Sequence, residues 1–258
     1  MKVVARPTGN GLPMSIGDTV YEEIRTDILF GAFRPGTKLK LEGLRQRYDV
    51  SINTLRESLA RLSSDGLVLA EGQKGFRVVP VSLSDLRDIT EMRQLLECHA
   101  LRRAIERGDL EWEGRIVAAH HKLAHVERVM VDDEVRHAAE WERHNREFHN
   151  ALISACGSSW LLNFHGAMYD QSLRYRMLSI KTKPFPREQS AREHAEIVDL
   201  VLKHDADAAT ALLALHITKG AELPVDEQEF PDWPLVAAEG SPPGQDGKAG
   251  GHSIYFGR

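Results

Sequence analysis

Residues 51–68 read SINTLRESLARLSSDGLV. The leucines of this segment recur at i, i+4 and i+7, which places them on one face of a helix: Leu55, Leu59 and Leu62. Ser51 is a good N-cap, because its hydroxyl can accept a hydrogen bond from a free backbone N–H of the first turn. The Asp65-Gly66 pair predicts the end of the helix, since glycine adopts the left-handed conformation found there. Such a helix occurs in many folds, so the elements before and after it in the sequence are needed to identify the fold.

Two further helices are predicted ahead of this one. Apolar residues recur at helical spacing over residues 19–30, with Asp18 as the expected N-cap. A turn-forming PGT sequence follows at residues 35–37, and a second helix is expected over residues 39–48. The second and third helices would therefore be joined by a tight turn, as in a helix-turn-helix.

The segment after Gly66 has the pattern of a hairpin. Residues 67–70 and 76–79 are rich in β-prone side chains, and the sequence EGQKG between them favours a turn. Three helices followed by such a hairpin indicate a winged helix-turn-helix over residues 16–80.

The chain has 258 residues, of which 42% are hydrophobic and 28% charged, and this suits two compact domains. No apolar run approaches the roughly 18 residues of a membrane span, so no membrane partner is expected. The first 15 residues lack the apolar core of a secretory signal, and the two cysteines suggest no disulfide framework. We therefore expect a cytoplasmic protein with a flexible N-terminus over residues 1–15.

The net charge of −5 is unevenly distributed. Residues 1–80 hold 12 Lys and Arg against 9 Asp and Glu, a balance of +3, whereas the remainder of the chain is acidic. The protein therefore has no uniformly basic coat, and any contact with nucleic acid is expected in the N-terminal part.

Beyond Pro80 the sequence shows almost no strand pattern. Helical spacing of apolar residues recurs at 83–107, 110–130, 134–155, 159–180, 186–204 and 206–221. An antiparallel all-helical bundle is therefore expected over residues 82–222, and the fold class is mainly α. Residues 223–258 are rich in Pro, Gly and Ser, which predicts a disordered tail.

The third helix of a helix-turn-helix lies in the major groove of DNA, so its outward face should carry hydrogen-bonding side chains. That face offers hydroxyls for phosphates, an amide that can read adenine and a guanidinium that can read guanine: Ser51, Thr54, Asn53 and Arg56. Lys74 and Gly75 at the wing tip are further candidates. An ordinary solvated helix surface is the alternative, but the order of helices and wing favours DNA contact.

Four motifs resemble the GntR family of bacterial regulators, in its FadR-like branch. They are Pro35-Gly-Thr-Lys-Leu, Tyr48-Asp-Val-Ser, Leu55-Arg-Glu-Ser-Leu-Ala-Arg-Leu and Asp65-Gly-Leu-Val. The resemblance covers nearly all of residues 18–80, and it implies a homodimer that binds a short palindromic operator in double-stranded DNA.

Two positions depart from the family pattern. Ile52 stands where the family usually has arginine, and Glu42-Gly43 replaces a segment that sometimes holds a DNA-contacting arginine. Nearby basic side chains are candidates to compensate, although each can equally be an ordinary surface charge: Arg45, Arg47 and Lys40.

The helical half carries a second pattern. Asn145 and His149 are four residues apart and share one face of a helix, while His194 and His216 lie in later helices with apolar neighbours at helical spacing. Three imidazoles with one oxygen donor suit zinc, nickel, cobalt or manganese. The alternative is a chance cluster, because the chain contains 12 histidines and each one singly can be structural.

The order of these helices resembles the FCD ligand-binding domain over residues 82–222. Metal-binding members of that family carry Asp-x-x-x-His, followed by one histidine in each of two later helices. The resemblance implies a divalent metal, zinc foremost and nickel or manganese otherwise, with positions open for a carboxylate effector. Its implied ligands are Asn145, His149, His194 and His216. Asn145 replaces the usual aspartate, and a neutral amide predicts weaker metal binding.

Arg93 stands where FCD relatives hold an arginine that faces the effector, and it is a candidate to bind a carboxylate. Glu97, at i+4, is the alternative partner for this side chain. Tyr169 and Arg174 are further candidates for effector contact. Motifs of this domain, including Leu161-Leu-Asn, resemble the carbon-starvation regulators of this branch, which implies a small dicarboxylate such as glutarate.

Together these patterns predict a DNA-binding transcription regulator, a repressor, whose operator binding is controlled by a small carboxylate in a metal-containing helical domain. A metal-dependent hydrolase is one alternative, but the sequence lacks His-Glu-x-x-His, Gly-x-Ser-x-Gly and a phosphate-binding glycine loop. An effector-independent DNA-binding protein is the other alternative. A bundle of this size with a candidate polar pocket disfavours it.

Overall fold

A computed structural model describes residues 14–130, 134–182 and 187–221 of the chain. The tail expected over residues 223–258, and all but the last two residues of the segment 1–15, lie outside these ranges. The N-terminal part comprises α1 (Ile16–Leu29), β1 (Lys38–Leu39), α2 (Leu41–Tyr48), α3 (Ile52–Ser64), β2 (Val68–Ala70) and β3 (Phe76–Val78). The C-terminal part comprises α4 (Leu83–Arg107), α5 (Leu110–Val129), α6 (Glu134–Ile153), α7 (Ser159–Thr182), α8 (Arg187–Leu202) and α9 (Ala206–Gly220). The mainly α fold with a small N-terminal sheet is confirmed.

The apolar stripe of α3 forms the centre of the N-terminal core. Its three leucines are fully buried in a cluster that α1 and the sheet complete: Leu55, Leu59 and Leu62. At its N-terminus, Ser51 Oγ accepts a hydrogen bond from Thr54 N at 3.1 Å. At its C-terminus, Gly66 has a φ of +71°, a left-handed conformation that favours glycine. The start and the end predicted for this helix are therefore confirmed.

The first helix begins earlier than the sequence pattern indicated. Ser15 is its N-cap, because Ser15 Oγ accepts a hydrogen bond from Asp18 N at 3.1 Å. Asp18 is thus a residue of the first turn, and the expectation that it caps the helix is wrong. Its carboxylate instead accepts hydrogen bonds from Ser15 Oγ at 2.7 Å and from Arg61 Nη1 of α3 at 2.8 Å.

The sheet contains one strand that the sequence did not predict. β2 and β3 are antiparallel, with Val68 opposite Val78, and β1 pairs with the other edge of β3, where Lys38 lies opposite Arg77. β1 has only two residues, which is too few for a period-two pattern to be recognised. The connection between β2 and β3 contains a short 3-10 turn, Gly72–Lys74.

Helices α4 to α9 form the bundle that the sequence predicted. Large apolar side chains from five of these helices are buried in its interior: Leu101, Trp112, Phe148, Ile197 and Leu213. α4 packs against α7 and α9, and α5 packs against α6 and α8. No helix within the described ranges is long and apolar enough to cross a bilayer. α7 also contacts α1, so it lies between the bundle and the N-terminal part.

Candidate functional site

The exposed side of α3, called here the DNA-reading surface, carries Asn53 and Arg56. Both side chains are exposed, and neither makes a hydrogen bond or ion pair within the part of the chain that the structure describes. Ser51 and Thr54 are engaged in the helix cap, where their hydroxyl oxygens are 2.9 Å apart. The surface therefore offers an amide and a guanidinium that can meet base edges, beside two hydroxyls that hold the helix N-terminus.

The basic residues around α2 differ in how firmly they are held. Arg45 Nη2 donates a hydrogen bond to Glu42 Oε1 at 2.7 Å, although the arginine side chain is half exposed. Arg47 donates to Asp27 of α1 and so supports the packing of α2. Lys40 is exposed and has no such partner among the described residues. Lys40 is therefore the side chain of the three that can reach a phosphate without breaking an ion pair.

The wing presents Lys74 at the end of its 3-10 turn. This side chain is exposed, and Gly75 follows it with a φ of +95°. Below the tip, Arg77 Nε donates a hydrogen bond to Glu71 Oε1 at 2.7 Å. The base of the wing is thus held by an ion pair, while the amino group at its tip remains accessible.

Three histidines from three helices meet inside the bundle. His149 lies on α6, His194 on α8 and His216 on α9, and all three are buried. One ring nitrogen of each lies within 4.8 Å of the others, and Nε2 of His194 is 3.2 Å from Nε2 of His216. The structure therefore brings together the three histidines whose convergence the sequence predicted.

A carboxylate orients each of these histidines through Nδ1. The pairs are His149 with Glu97 at 2.8 Å, His194 with Glu127 at 2.9 Å and His216 with Glu193 at 2.9 Å. An ionised carboxylate only accepts hydrogen bonds, so each Nδ1 carries the proton and each Nε2 keeps its lone pair. Lone pairs directed towards one another favour a cation between them, and carboxylate–histidine pairs of this kind orient metal ligands.

Burial keeps the imidazoles of His149 and His216 neutral. It lowers the pKa of His149 to about 3, against the opposing effect of Glu97, and it lowers the pKa of His216 to about 4. Burial alone would raise the pKa of Glu97, but the charge of Arg93 and the hydrogen bond from His149 outweigh it and hold that pKa well below its usual value. The hydrogen bond from His216 lowers the pKa of Glu193 to about 2. Neutral imidazoles beside ionised carboxylates are the state that metal binding requires.

Asn145 completes the group, which is called here the histidine site. It lies one turn before His149 on α6 and is buried. Its Nδ2 donates a hydrogen bond to the hydroxyl of Tyr169 at 2.9 Å, which leaves Oδ1 as a buried acceptor without a partner in the described structure. Three imidazole nitrogens and one free amide oxygen fit a divalent cation such as zinc.

A cavity opens beside the histidine site. Six polar or charged side chains line it, and two of them are arginines: Arg93, Arg176, Asn145, His149, Ser190 and His216. Arg93 donates through Nε and Nη2 to Glu97 Oε1, at 2.8 and 2.6 Å. Arg93 therefore pairs with Glu97 and also lines the cavity, and its contact with an effector stays a prediction.

The other two effector candidates lie in different places. Tyr169 is buried, bonds to Asn145, and has its ring 5.8 Å from the ring of His149. Arg174 is also buried, but it donates to carbonyl oxygens of the segment that joins the two parts and lies 3.6 Å from Asp85. The structure thus brings Tyr169 to the histidine site and does not bring Arg174 there.

Sequence reasoning missed several charged residues at this site. Glu127 and His165 are buried near the histidines, and Arg176 forms a buried ion pair with Glu142 at 3.2 Å. His165 Nε2 lies 3.1 Å from Glu97 Oε1, although not in hydrogen-bond geometry. No spacing rule separates these residues from ordinary surface charges, so the sequence carried no signal for them.

Two family profiles match the chain. The profile described as "Bacterial regulatory proteins, gntR family" matches residues 16–78. The profile described as "FCD domain" matches residues 88–219. The first range contains the DNA-reading surface, and the second contains the histidine site.

Individual proteins give the same result. An uncharacterized HTH-type transcriptional regulator of Paraburkholderia xenovorans (strain LB400), BphR, is 40% identical over 203 residues, 79% of this chain and 82% of that protein. The HTH-type transcriptional repressor GlaR of Escherichia coli (strain K12) is 31% identical over 200 residues, 76% of this chain and 90% of that protein. The solved structure of E. coli McbR/YncC shares the fold, with a TM-score of 0.65 at 20% identity over 80% of this chain and 95% of that one.

The matched families and relatives are transcription regulators, which removes the metal-dependent hydrolase as an alternative. The protein is not an enzyme. The chain belongs to the GntR family and is a DNA-binding transcription regulator with an FCD effector domain.

Proposed function

We propose that this regulator is a repressor whose operator binding is controlled by a small carboxylate, bound beside a metal in the helical domain. The observation that carries the proposal is the histidine site, where one ring nitrogen of each of three histidines converges and each imidazole is held by a carboxylate. The E. coli relative GlaR is a repressor, which supports repression as the output.

The proposal assigns DNA binding to residues 16–80 and effector binding to residues 82–222. It places the protein in the cytoplasm, because its relatives are bacterial transcription regulators. It also discards the effector-independent alternative. The reason is the cavity, whose lining of two arginines and two of the clustered histidines suits an anionic ligand, and binding DNA alone does not require such a cavity.

For DNA, we assign base contacts to Asn53 and Arg56, whose exposed side chains have no competing partner among the described residues. Contacts to phosphates are assigned to groups around them: Ser51, Thr54, Arg45, Lys74 and Gly75. Arg45 would have to exchange its ion pair with Glu42 for a phosphate, so its contribution should be smaller than that of Arg56.

For the metal, we assign four ligands: Asn145, His149, His194 and His216. Zinc is foremost, because three imidazoles with one oxygen suit its usual coordination, and nickel or manganese are the alternatives. A bound ion would supply a position where a carboxylate oxygen can coordinate. Asn145 brings no negative charge, so binding should be weaker than with an aspartate at this position.

For the effector, we assign Arg93 and Tyr169, and we add Arg176. The guanidinium groups of Arg93 and Arg176 line the cavity together and can receive a small carboxylate, or a dicarboxylate such as glutarate. Arg174 was a candidate from the sequence, but its bonds to the connecting segment assign it to the junction between the two domains.

We also propose that the regulator is a homodimer, as a palindromic operator requires. Supporting this, Trp160 and Phe164 of α7 stack on each other with 71% and 56% of their surfaces exposed, and Leu95 of α4 is 64% exposed. A stacked, exposed aromatic pair is a candidate contact surface, and we assign a second copy of the chain to that place. Sedimentation of the Trp160→Ala/Phe164→Ala variant should show a monomer where the wild type is a dimer.

The proposal is tested by metal content and DNA binding of the purified full chain. We expect elemental analysis to find zinc, nickel or manganese in the wild type and to find it lost from His149→Ala. We also expect fluorescence anisotropy to show a preference for the intergenic DNA beside the protein's own gene over random duplex. A wild type that takes up none of these metals from solution, or that binds both duplexes equally, would contradict the proposal.

A further inference from the structure

One turn in the middle of α7, residues 169–172, contacts both the interior of the bundle and the N-terminal part of the chain. Tyr169 and Ser172 are directed into the bundle, towards the histidine site and its cavity. Asp170 and Gln171 are directed to the N-terminal part and bond to it. Asp170 and Gln171 are called here the α7 joint.

The inward side contacts groups that the proposed function assigns to metal and effector. Tyr169 accepts a hydrogen bond from Asn145 Nδ2, the same amide whose oxygen is free to bind a metal. Ser172 Oγ accepts hydrogen bonds from Arg176 Nη1 at 3.1 Å and Arg93 Nη1 at 3.3 Å. A cation held by the histidine site would fix the Asn145 amide, and a carboxylate that bound either arginine would change the bonds to Ser172. Both events therefore act on this turn.

Asp170 links α7 to two other helices. Its carboxylate forms ion pairs with Arg25 of α1 and with Arg146 of α6. All three side chains are about one-fifth exposed, so water screens these pairs only in part. Arg146 also lies over the ring of Tyr169, at 4.4 Å from its centre. One carboxylate thus serves two guanidinium groups, of which one belongs to the DNA-binding domain and the other packs on the inward side.

Gln171 reaches the DNA-reading helix itself. Its Nε2 donates a hydrogen bond to the carbonyl oxygen of Asp65 at 2.8 Å. Asp65 is the C-cap of α3, and a Cβ atom built on the next residue, Gly66, would lie only 3.2 Å from the same Nε2. The side chain of Gln171 therefore lies directly against the backbone at the end of α3.

We propose that Asp170 and Gln171 are positioning residues, which couple the state of the histidine site to the orientation of α3. This inference rests on the proposed function of that site. A helical turn is held by its own backbone hydrogen bonds, so a displacement imposed at Tyr169 or Ser172 is carried to the residues between them. The joint meets α1 through Arg25 and α3 through Asp65, and these two helices pack closely on each other. Such a connection gives the two sites a shared structural element, through which energetic coupling can be carried.

Hydrogen exchange followed by mass spectrometry tests the proposal, with Zn²⁺ alone as the probe. In the wild-type full chain, saturating Zn²⁺ is expected to slow amide exchange in α6 and α8 and also in peptides covering α1 and the end of α3. The slowing in α1 and α3 should be about tenfold, within the usual range of coupling between sites. In Asp170→Asn/Gln171→Ala, Zn²⁺ should still slow exchange in α6 and α8, but change it by less than about twofold in α1 and α3.

The matched control is Asp207→Asn/Gln94→Ala. Asp207 pairs with Arg102 at the surface of the bundle, and Gln94 donates to the Ala214 carbonyl oxygen at 2.9 Å and to Thr218 Oγ1 at 2.6 Å. The same two bond types are therefore removed between helices of the bundle. This variant should respond as the wild type does. The single variants Asp170→Asn and Gln171→Ala, each checked by circular dichroism, give the same test if the double variant does not fold.

Two results would overturn the coupling: slowing confined to the bundle in the wild type, or slowing of α1 and α3 that persists in the joint variant. A different result, with no slowing anywhere in the wild type, would remove the metal site of the proposed function and the inference with it. The set of peptides in which Zn²⁺ slows exchange therefore shows whether the coupling or the metal site itself has failed.

Discussion

The DNA-reading surface and the histidine site are built in opposite ways. Asn53 and Arg56 stand exposed on one helix and have no partners within the described structure. The histidine site is buried, draws its ligands and their carboxylates from five helices, and holds each imidazole by a hydrogen bond to a carboxylate. The first can change without affecting the fold, whereas most changes to the second also alter stability. This difference orders the expected effects of mutation.

Glu97→Ala should have the largest effect on stability. It leaves Arg93 and His149 buried without their anion, so the free energy of unfolding is expected to fall by about 3–5 kcal/mol. Urea unfolding followed by circular dichroism measures the change. Glu91→Ala, on the exposed side of the same helix, is the control and should stay within about 0.5 kcal/mol. A loss for Glu97→Ala as small as that of the control would show that the site does not depend on this carboxylate.

His149→Ala should remove metal binding while leaving the DNA-reading surface intact. Changing only an outer partner of a metal ligand usually costs 10–100-fold in affinity, so loss of the ligand itself should exceed about 100-fold. Isothermal titration with Zn²⁺ measures this, and His121→Ala, an exposed histidine of α5, is the control. Equal zinc affinity in both variants would exclude His149 as a ligand.

Arg56→Ala should weaken DNA binding while leaving metal binding intact. We expect operator affinity to fall by about 10–100-fold, the usual value of one arginine that reads a base. The urea midpoint should not change, because Arg56 is exposed and has no partner in the described chain. Arg115→Ala, an exposed arginine of α5, is the control for lost charge. If both variants weaken DNA binding equally, Arg56 contributes only its charge.

Asn145→Asp should give the smallest change and the only gain. A carboxylate adds a negative charge beside the cation, so zinc affinity is expected to rise by about tenfold. The hydroxyl of Tyr169 can reverse its hydrogen bond and donate to the aspartate, which keeps this contact. Without metal the variant should be less stable than the wild type, because it buries an unpaired charge. A zinc affinity that falls would place Asn145 outside the coordination sphere.

The difference between a surface formed by one helix and a site formed by several helices also explains what the sequence could predict. The face of α3, its caps and the wing follow from spacing and turn residues within a short segment, so local rules found them. The two-residue β1 and the Ser15 cap were missed because neither adds a residue to an apolar pattern. The histidines were found through the helix that each occupies and through the family resemblance.

The partners of the histidines could not be predicted in this way. Glu127 and Arg176 become part of the site only when separate helices pack together. Arg174 and Arg176 show why: two positions along a helix correspond to a rotation of about 200°, so they face opposite sides of α7. Residues on both faces of α7 are buried in this region. The sequence of the helix therefore shows no polar face, and it did not indicate which of the two arginines faces the cavity.

The central claim is that the buried site controls the exposed surface. The most direct test is fluorescence anisotropy of the zinc-loaded wild type and of His149→Ala on the intergenic DNA beside the gene, titrated with small carboxylates including glutarate. Our account predicts that one carboxylate releases the wild type from this DNA but does not release the variant. Release of both proteins by the same carboxylate, at the same concentration, would contradict it.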